Sequence, residues 1–155
     1  MASKNTPQQL LDEGFTPEQF GHDASSWAAY ATALLAEQFI LVQSRVSASA
    51  LNAVIGTPEA LHVQLAERYL SCAILAARRI NKLESALAQS RQSDQMTSLI
   101  TELRNNQRNY TRMAEESLAA IAATSRSEAT SAAPAFGSVN SSHFRNATSM
   151  AGGVL

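Results

Sequence analysis

The chain of 155 residues is poor in the residues that carry chemistry. It has one cysteine, Cys72, which excludes an internal disulfide framework and suits a reducing compartment. Its three histidines, His22, His62 and His143, fall in separate segments, so no metal site is expected where three or four ligands must converge. There is no G-x-S-x-G elbow and no glycine-rich phosphate loop, and no strand-rich region on which to build one. The expectation is a protein that is not an enzyme, with no catalytic residues and no cofactor. Charge of one sign is lacking too: twelve basic against thirteen acidic residues leave −1, without the basic excess of a dedicated nucleic-acid binder. The opening, MASKNTPQQL, has no apolar core of a secretory signal. Three matches to the glycosylation pattern, at Asn109, Asn140 and Asn146, therefore read as chance.

Prolines are also few, and three of the four follow a threonine: Thr6-Pro7, Thr16-Pro17 and Thr57-Pro58. Each pair is a helix start, with threonine as N-cap and proline at the first helical position. Gln19 closes a capping box on Thr16, and Phe15 and Phe20 bracket it. Residues 1–22 thus read as an arm of short helices, interrupted at Gly14 and Gly21.

The long apolar stretch is residues 23–58. Between Asp23 and Glu59 only Glu37 and Arg45 are charged. Trp27, Ala31, Leu34, Leu35, Leu41, Val42 and Val46 recur at helical spacing, with Phe39 and Ile40 widening the stripe. A helix apolar around much of its circumference must be covered on more than one side. It is read as the central helix, capped by Asp23, ending between Val46 and Val54 and turning at Gly56, packed by its own chain and by a neighbour. At roughly 20 residues it has the length of a membrane span. Glu37 near its middle, with Gln38, Gln43 and Ser44, argues instead for a buried helix without membrane insertion.

A second long helix follows over residues 58–89, with Leu61, Leu65, Tyr69, Cys72, Ala76, Ile80, Leu83 and Leu87 stepping by three and four. Residues 90–94 are polar and mark either a break or a kink. A third helix carries the narrower stripe of Met96, Leu99, Leu103, Tyr110, Met113, Leu118 and Ile121, fit for antiparallel packing on the second. The fold class expected is all-α: a small bundle of three long helices, with short N-terminal helices and an extended, non-regular C-terminal tail. The divisions are an arm at 1–22, a core at 23–124 and a tail at 125–155. Trp27, Leu34, Leu35, Val42, Leu65, Tyr69 and Cys72 are the expected core. Arg104, Arg108 and Arg112 draw one basic line along the third helix, open to three readings: a solvated face, a subunit interface or a phosphate contact. In the tail 18 of 31 residues are Ser, Ala, Gly or Thr, too little apolar surface to fold alone. Phe136, Val139, Phe144, Met150, Val154 and Leu155 are spaced along it like anchors for binding another protein.

Two stretches carry a resemblance. Residues 14–21, Gly-Phe-Thr-Pro-Glu-Gln-Phe-Gly, lead into Trp27, Ala28, Ala29 and Tyr30, then Leu34 and Leu35. Ala66, Glu67, Arg68, Tyr69 and Leu70 lead through a small-residue face to the paired Arg78 and Arg79. Over residues 14–79, about half of its length, the chain resembles the head–tail connector (adaptor) proteins of tailed bacteriophages. That resemblance implies a helical subunit made in the host cytoplasm and assembled as a ring, commonly of twelve copies, at the capsid–tail junction of the virion. Its partners would be itself, the portal protein, and a tail-side connector or tail terminator. Double-stranded DNA would pass through without sequence-specific binding. The tail anchors would clasp the portal, and Arg104, Arg108, Arg112, Phe39, Arg78 and Arg79 would lie at the subunit interface. The alternative is an Ala-rich amphipathic-helix protein, a phasin-like coat or helical adaptor that needs no ring. A small helical DNA-associated protein using the arginine line is a third reading.

Overall fold

The computed structural model describes residues 3–89 and 94–131. They form helices only: α1 (Pro7–Asp12), α2 (Pro17–Phe20), α3 (Ala24–Gln43), α4 (Ala48–Leu51), α5 (Pro58–Gln89) and α6 (Asp94–Ser131). Among the described residues there is no strand.

The starts are where the sequence marks them. Gln9 and Gln19 reach back with their side-chain oxygens to accept from the Thr6 and Thr16 backbone N–H groups, at 2.9 and 3.3 Å. Asp23 accepts from the Ser26 backbone N–H at 2.8 Å, and the Ser26 hydroxyl oxygen accepts from the Asp23 N–H at 3.0 Å. Three hydrogen bonds to one carboxylate favour its charged form, and the Asp23 carboxyl is drawn down to about 2, first by the Ser26 backbone N–H.

The ends differ from expectation twice. α3 stops at Gln43, ahead of the 46–54 window. The Ser44 hydroxyl donates to the Leu41 carbonyl at 2.7 Å, and the Ser47 hydroxyl accepts from the Ala50 N–H at 3.4 Å to start α4. Serines here offer the backbone local partners that compete with helix continuation. α6, in contrast, continues to Ser131, seven residues into the segment read as tail. Between Thr124 and Ser131 stands neither glycine nor proline, so nothing halts a helix already propagating.

α5, not α3, is the organising helix. α6 runs antiparallel along its length: Ile80 meets Ile100 and Leu103, Tyr69 stacks on Tyr110 with centroids 6.2 Å apart, and Val63 and Ala66 share a cluster with Leu118 and Ile121. α5 and α6 are thus two antiparallel helices, not one kinked helix. α3 also runs antiparallel to α5, with Trp27 and Leu34 near Leu75 and Ala76 at one end and Phe39 and Val42 near Val63 and Ala66 at the other. α5 and α6 are about 48 and 57 Å long at 1.5 Å per residue, while α3 is about 30 Å. The bundle therefore has three helices at one end and a two-helix hairpin, closed around Ile80, Ile100 and Leu103, at the other.

The buried face of α5 corrects the expected stripe. In its first half Ala60, Val63, Ala66 and Glu67 are buried, while Leu61 is 52 % exposed and Leu65 and Tyr69 are half-buried rather than core. α5 lies between α3 and α6, and close helix approach favours small side chains there. Larger ones are turned to the flanks. From Cys72 to Ile80 the expected stripe and the core agree, with Cys72, Ala76 and Ile80 buried, while Leu83 and Leu87 further on are half-buried against Ile80, Ile100 and Leu103. Trp27, Leu34, Leu35 and Val42 are buried as well. No described helix is long and apolar enough to cross a membrane.

Candidate partner-binding surface

The end of the bundle formed by the close of α3, α4, the start of α5 and the later part of α6 carries a set of exposed large apolar side chains. These are Ile40, Leu41, Val54, Ile55 and Leu61, and among the described residues they are all the exposed large hydrophobics. Val54 and Ile55 stand out at 74 % and 79 % exposure. They are held outward by an ordered turn. The Thr57 N–H and hydroxyl both donate to the Val54 carbonyl, at 3.1 and 2.9 Å. Gly56 takes the left-handed conformation the turn needs, with φ 97°. On the other side of the loop, the Asn52 side chain donates to the Ala48 carbonyl at 2.8 Å and the Ala53 N–H to the Ala50 carbonyl at 3.3 Å. Beside the loop lies a shallow groove of about 200 Å³, lined by Ser49, Ala50, Ala53, Val54, Thr57, Glu59 and Thr124. Its lining offers one carboxylate and otherwise hydroxyls and methyls, a surface for contact rather than for bond-making.

The N-terminal segment ties this end together. Lys4 donates from Nζ to the carbonyls of Leu51 and Ala53, at 3.1 and 3.4 Å, where α4 ends. The Asn5 side-chain amide donates to the Gln64 carbonyl at 3.0 Å, and the Ser3 hydroxyl donates to Glu67 Oε1. Glu67 is fully buried, and its Oε2 has no hydrogen-bond partner. Burial pushes its carboxyl above the usual range, against the pull of the Ser3 hydroxyl, the Asn5 side chain and the Lys4 backbone N–H. Sequence reasoning missed this carboxylate. The available signal was its place beside Ala66 on the small-residue face of α5, with no cation at helical spacing to pair with it.

The residues expected at a subunit interface are scattered. Phe39 is 2 % exposed and packs in the core against Val42, Val63 and Leu118, so this conformation withdraws it from any interface. Arg78 donates to the Tyr30 hydroxyl at 2.7 Å and lies over the Tyr30 ring, fastening α5 to α3. Arg79 is half-buried. The line on α6 does different things along its length. Arg104 bonds Glu84 across the hairpin at 2.5 Å, Arg112 bonds Glu116 one turn on at 2.6 Å, and Arg108 is exposed. Two of the three cations thus have a carboxylate at hand, which weakens the line as a phosphate track. The anchors Phe136, Val139, Phe144, Met150, Val154 and Leu155 lie outside the described residues.

No other cluster builds a reactive centre among the described residues. No group of three or more His, Cys, Asp or Glu could hold a metal. Cys72 is buried, and burial, assisted by the Glu13 charge, pushes its thiol well above the usual range. Tyr110 is pushed up to about 12, again first by burial. His22 packs on the Tyr30 ring at 4.5 Å. No family model, no curated protein and no solved structure matches the chain.

Proposed function

We propose that the protein is a structural adaptor of the head–tail connector kind, which assembles with copies of itself beneath a portal and docks there through the apolar end of its bundle. The observation that carries this reading is the gathering of Ile40, Leu41, Val54, Ile55 and Leu61 at one end, on an ordered scaffold. Exposed large apolar side chains concentrated at one end of a bundle mark a contact site. α6 passes the groove at Thr124 and runs on to Ser131 at this same end, so the segment with the spaced apolar anchors follows from the docking face. The outer side of α3 supports self-assembly. Ala29, Ala33 and Ala36 are exposed one above another, and Glu37 is the one charge within the helix. Small residues let a second helix approach closely, and lateral contact between copies would use this side while the apolar end faces the portal.

Native mass measurement of the purified protein, alone and mixed with the portal protein of the same virion, tests the reading. A ring, or a portal complex carrying a ring's worth of subunits, is the expected result. A monomer that stays free of portal at tens of micromolar overturns it. Strong partitioning onto lipid or polymer particles would instead favour the coat-like alternative. DNA affinity falling steeply with salt would favour the third reading.

A further inference from the structure

We propose that residues 3–5 are a pH-gated latch on the docking end, with the buried Glu67 carboxyl as its sensor. The strap crosses three parts of the fold: Lys4 holds the carbonyls at the end of α4, Asn5 holds Gln64 of α5, and Ser3 holds Glu67 one turn further along α5. The same carbonyls of Leu51 and Ala53 begin the loop that displays Val54 and Ile55, so closing the strap fixes the base of that loop. Opening it removes the lysine from the end of α4 and admits water to Glu67.

The gating follows from what surrounds the carboxyl. With the strap closed, Glu67 is fully buried, faces only neutral donors (the Ser3 hydroxyl, the Asn5 amide and the Lys4 backbone N–H), and keeps Oε2 unpartnered. The charged groups on neighbouring elements have partners of their own or face solvent. Lys4 is on carbonyls, Arg68 is 3.7 Å from Glu13 of the arm, Arg45 between α3 and α4 is on Glu115 of α6, Arg112 is on Glu116, and Glu37 is exposed. No cation therefore offsets a buried negative charge, which is costly to leave unpaired. With the strap open, Glu67 regains water and an ordinary carboxyl pKa. The closed form thus holds the proton more tightly. Closure is favoured in full below the open-state value, and it weakens as the pH rises through the closed-state value. Every pH unit separating the two is worth about tenfold in the opening equilibrium. As the pH rises above the open-state value the latch loosens, which alters how the loop is offered to a partner.

The importance of the loop rests on the docking role proposed above; the latch itself does not, and its test needs no partner. Lys4 is the one tryptic site before Arg45, so loss of residues 1–4 from the 155-residue chain reports strap opening by mass alone. The rate is measured from pH 5.5 to 8.5 in the wild type and in Glu67→Gln, which keeps the shape and the acceptor but cannot ionise. Taking the ratio of the two rates cancels the pH dependence of trypsin. The expected ratio exceeds one and grows, or stays high, toward alkaline pH, and Ser3→Ala at pH 8 is cut faster still. A ratio of one throughout, with Ser3→Ala cut at the wild-type rate, overturns the latch. Far-ultraviolet circular dichroism checks that both variants keep the bundle.

Discussion

Replacing Val54 and Ile55 together by serine separates folding from association. At 74 % and 79 % exposure both side chains contribute little to the free subunit. The Val54→Ser/Ile55→Ser protein should therefore stay within about 0.5 kcal/mol of the wild type, as surface changes usually do. At a partner surface the balance reverses. Full burial of a valine or isoleucine side chain is worth about 1.5–3 kcal/mol, and roughly three quarters of that is still available here, so the pair should contribute about 2–4 kcal/mol to docking. Every 1.4 kcal/mol is tenfold, so association should weaken roughly 30- to 1,000-fold. Thermal unfolding followed by circular dichroism gives the first quantity. Sedimentation velocity, of the protein alone and with portal, gives the second. Two results would refute the reasoning. A melting temperature lowered as far as by a core truncation would mean that the loop is part of the fold. Unchanged association at every concentration would mean that this end is not the docking face.

Leu75 lies fully buried among Trp27, Leu34 and Leu35, so Leu75→Ala should cost about 2–5 kcal/mol through lost transfer and the cavity left behind. Urea unfolding at fixed m-value reads this, and a loss below 1 kcal/mol would show that the site collapses. The Cys72 thiol, buried and held protonated, should resist iodoacetamide at pH 8 in the native protein and react promptly in guanidinium. Fast native labelling would mean that this part of the core opens. Asp23 should titrate by NMR near 2, below the ordinary carboxyl range, and Ser26→Ala should raise that value by removing the hydroxyl contact. An unchanged midpoint would leave the backbone N–H of residue 26 and the Ser25 hydroxyl as the cause.

What was legible in the sequence was mostly local. Thr-Pro pairs and Asp23 start helices because capping chemistry involves neighbours along the chain, and the structure follows these signals at α1, α2, α3 and α5. The all-α class and the three long helices followed from apolar spacing alone. Ends were harder, since α3 stops on competing serine hydroxyls and α6 continues through a composition that merely looks like tail. The candidate surface was less legible still. Spacing placed Leu61, Leu65 and Tyr69 on a core stripe, but packing between two partner helices selected Ala60, Val63 and Ala66 and turned the larger residues outward. Nothing local distinguishes these choices, because the periodicity of both stripes is helical. Val54 and Ile55 lay in a stretch without clear periodicity, and their exposure depends on a turn closed by Thr57 and Gly56.

The scarcity of charge in α3 suggested a central position, and the structure shows why that inference fails. α5 is the central helix, although its second half carries Arg78, Arg79, Lys82 and Glu84, because these charges lie at its flanks: Arg78 is on Tyr30 of α3, Lys82 donates to the Gln19 carbonyl of α2, and Glu84 pairs with Arg104 across the hairpin. α3 covers only one side of α5, and its own outer side remains exposed with alanines and Ile40. A helix can thus lack charge for either of two reasons: it is enclosed by its own chain, or it is enclosed by another molecule. With the first reason removed for the outer side of α3, the second gains weight. The hairpin end points the same way. There Arg104 pairs with Glu84, and among the described residues of that end no large hydrophobic is exposed. A subunit that only needed to remain soluble would have no reason to gather its exposed apolar residues at one end. Their concentration beside a strap-held loop is what the proposed docking role asks of that end, with the hairpin end left to water.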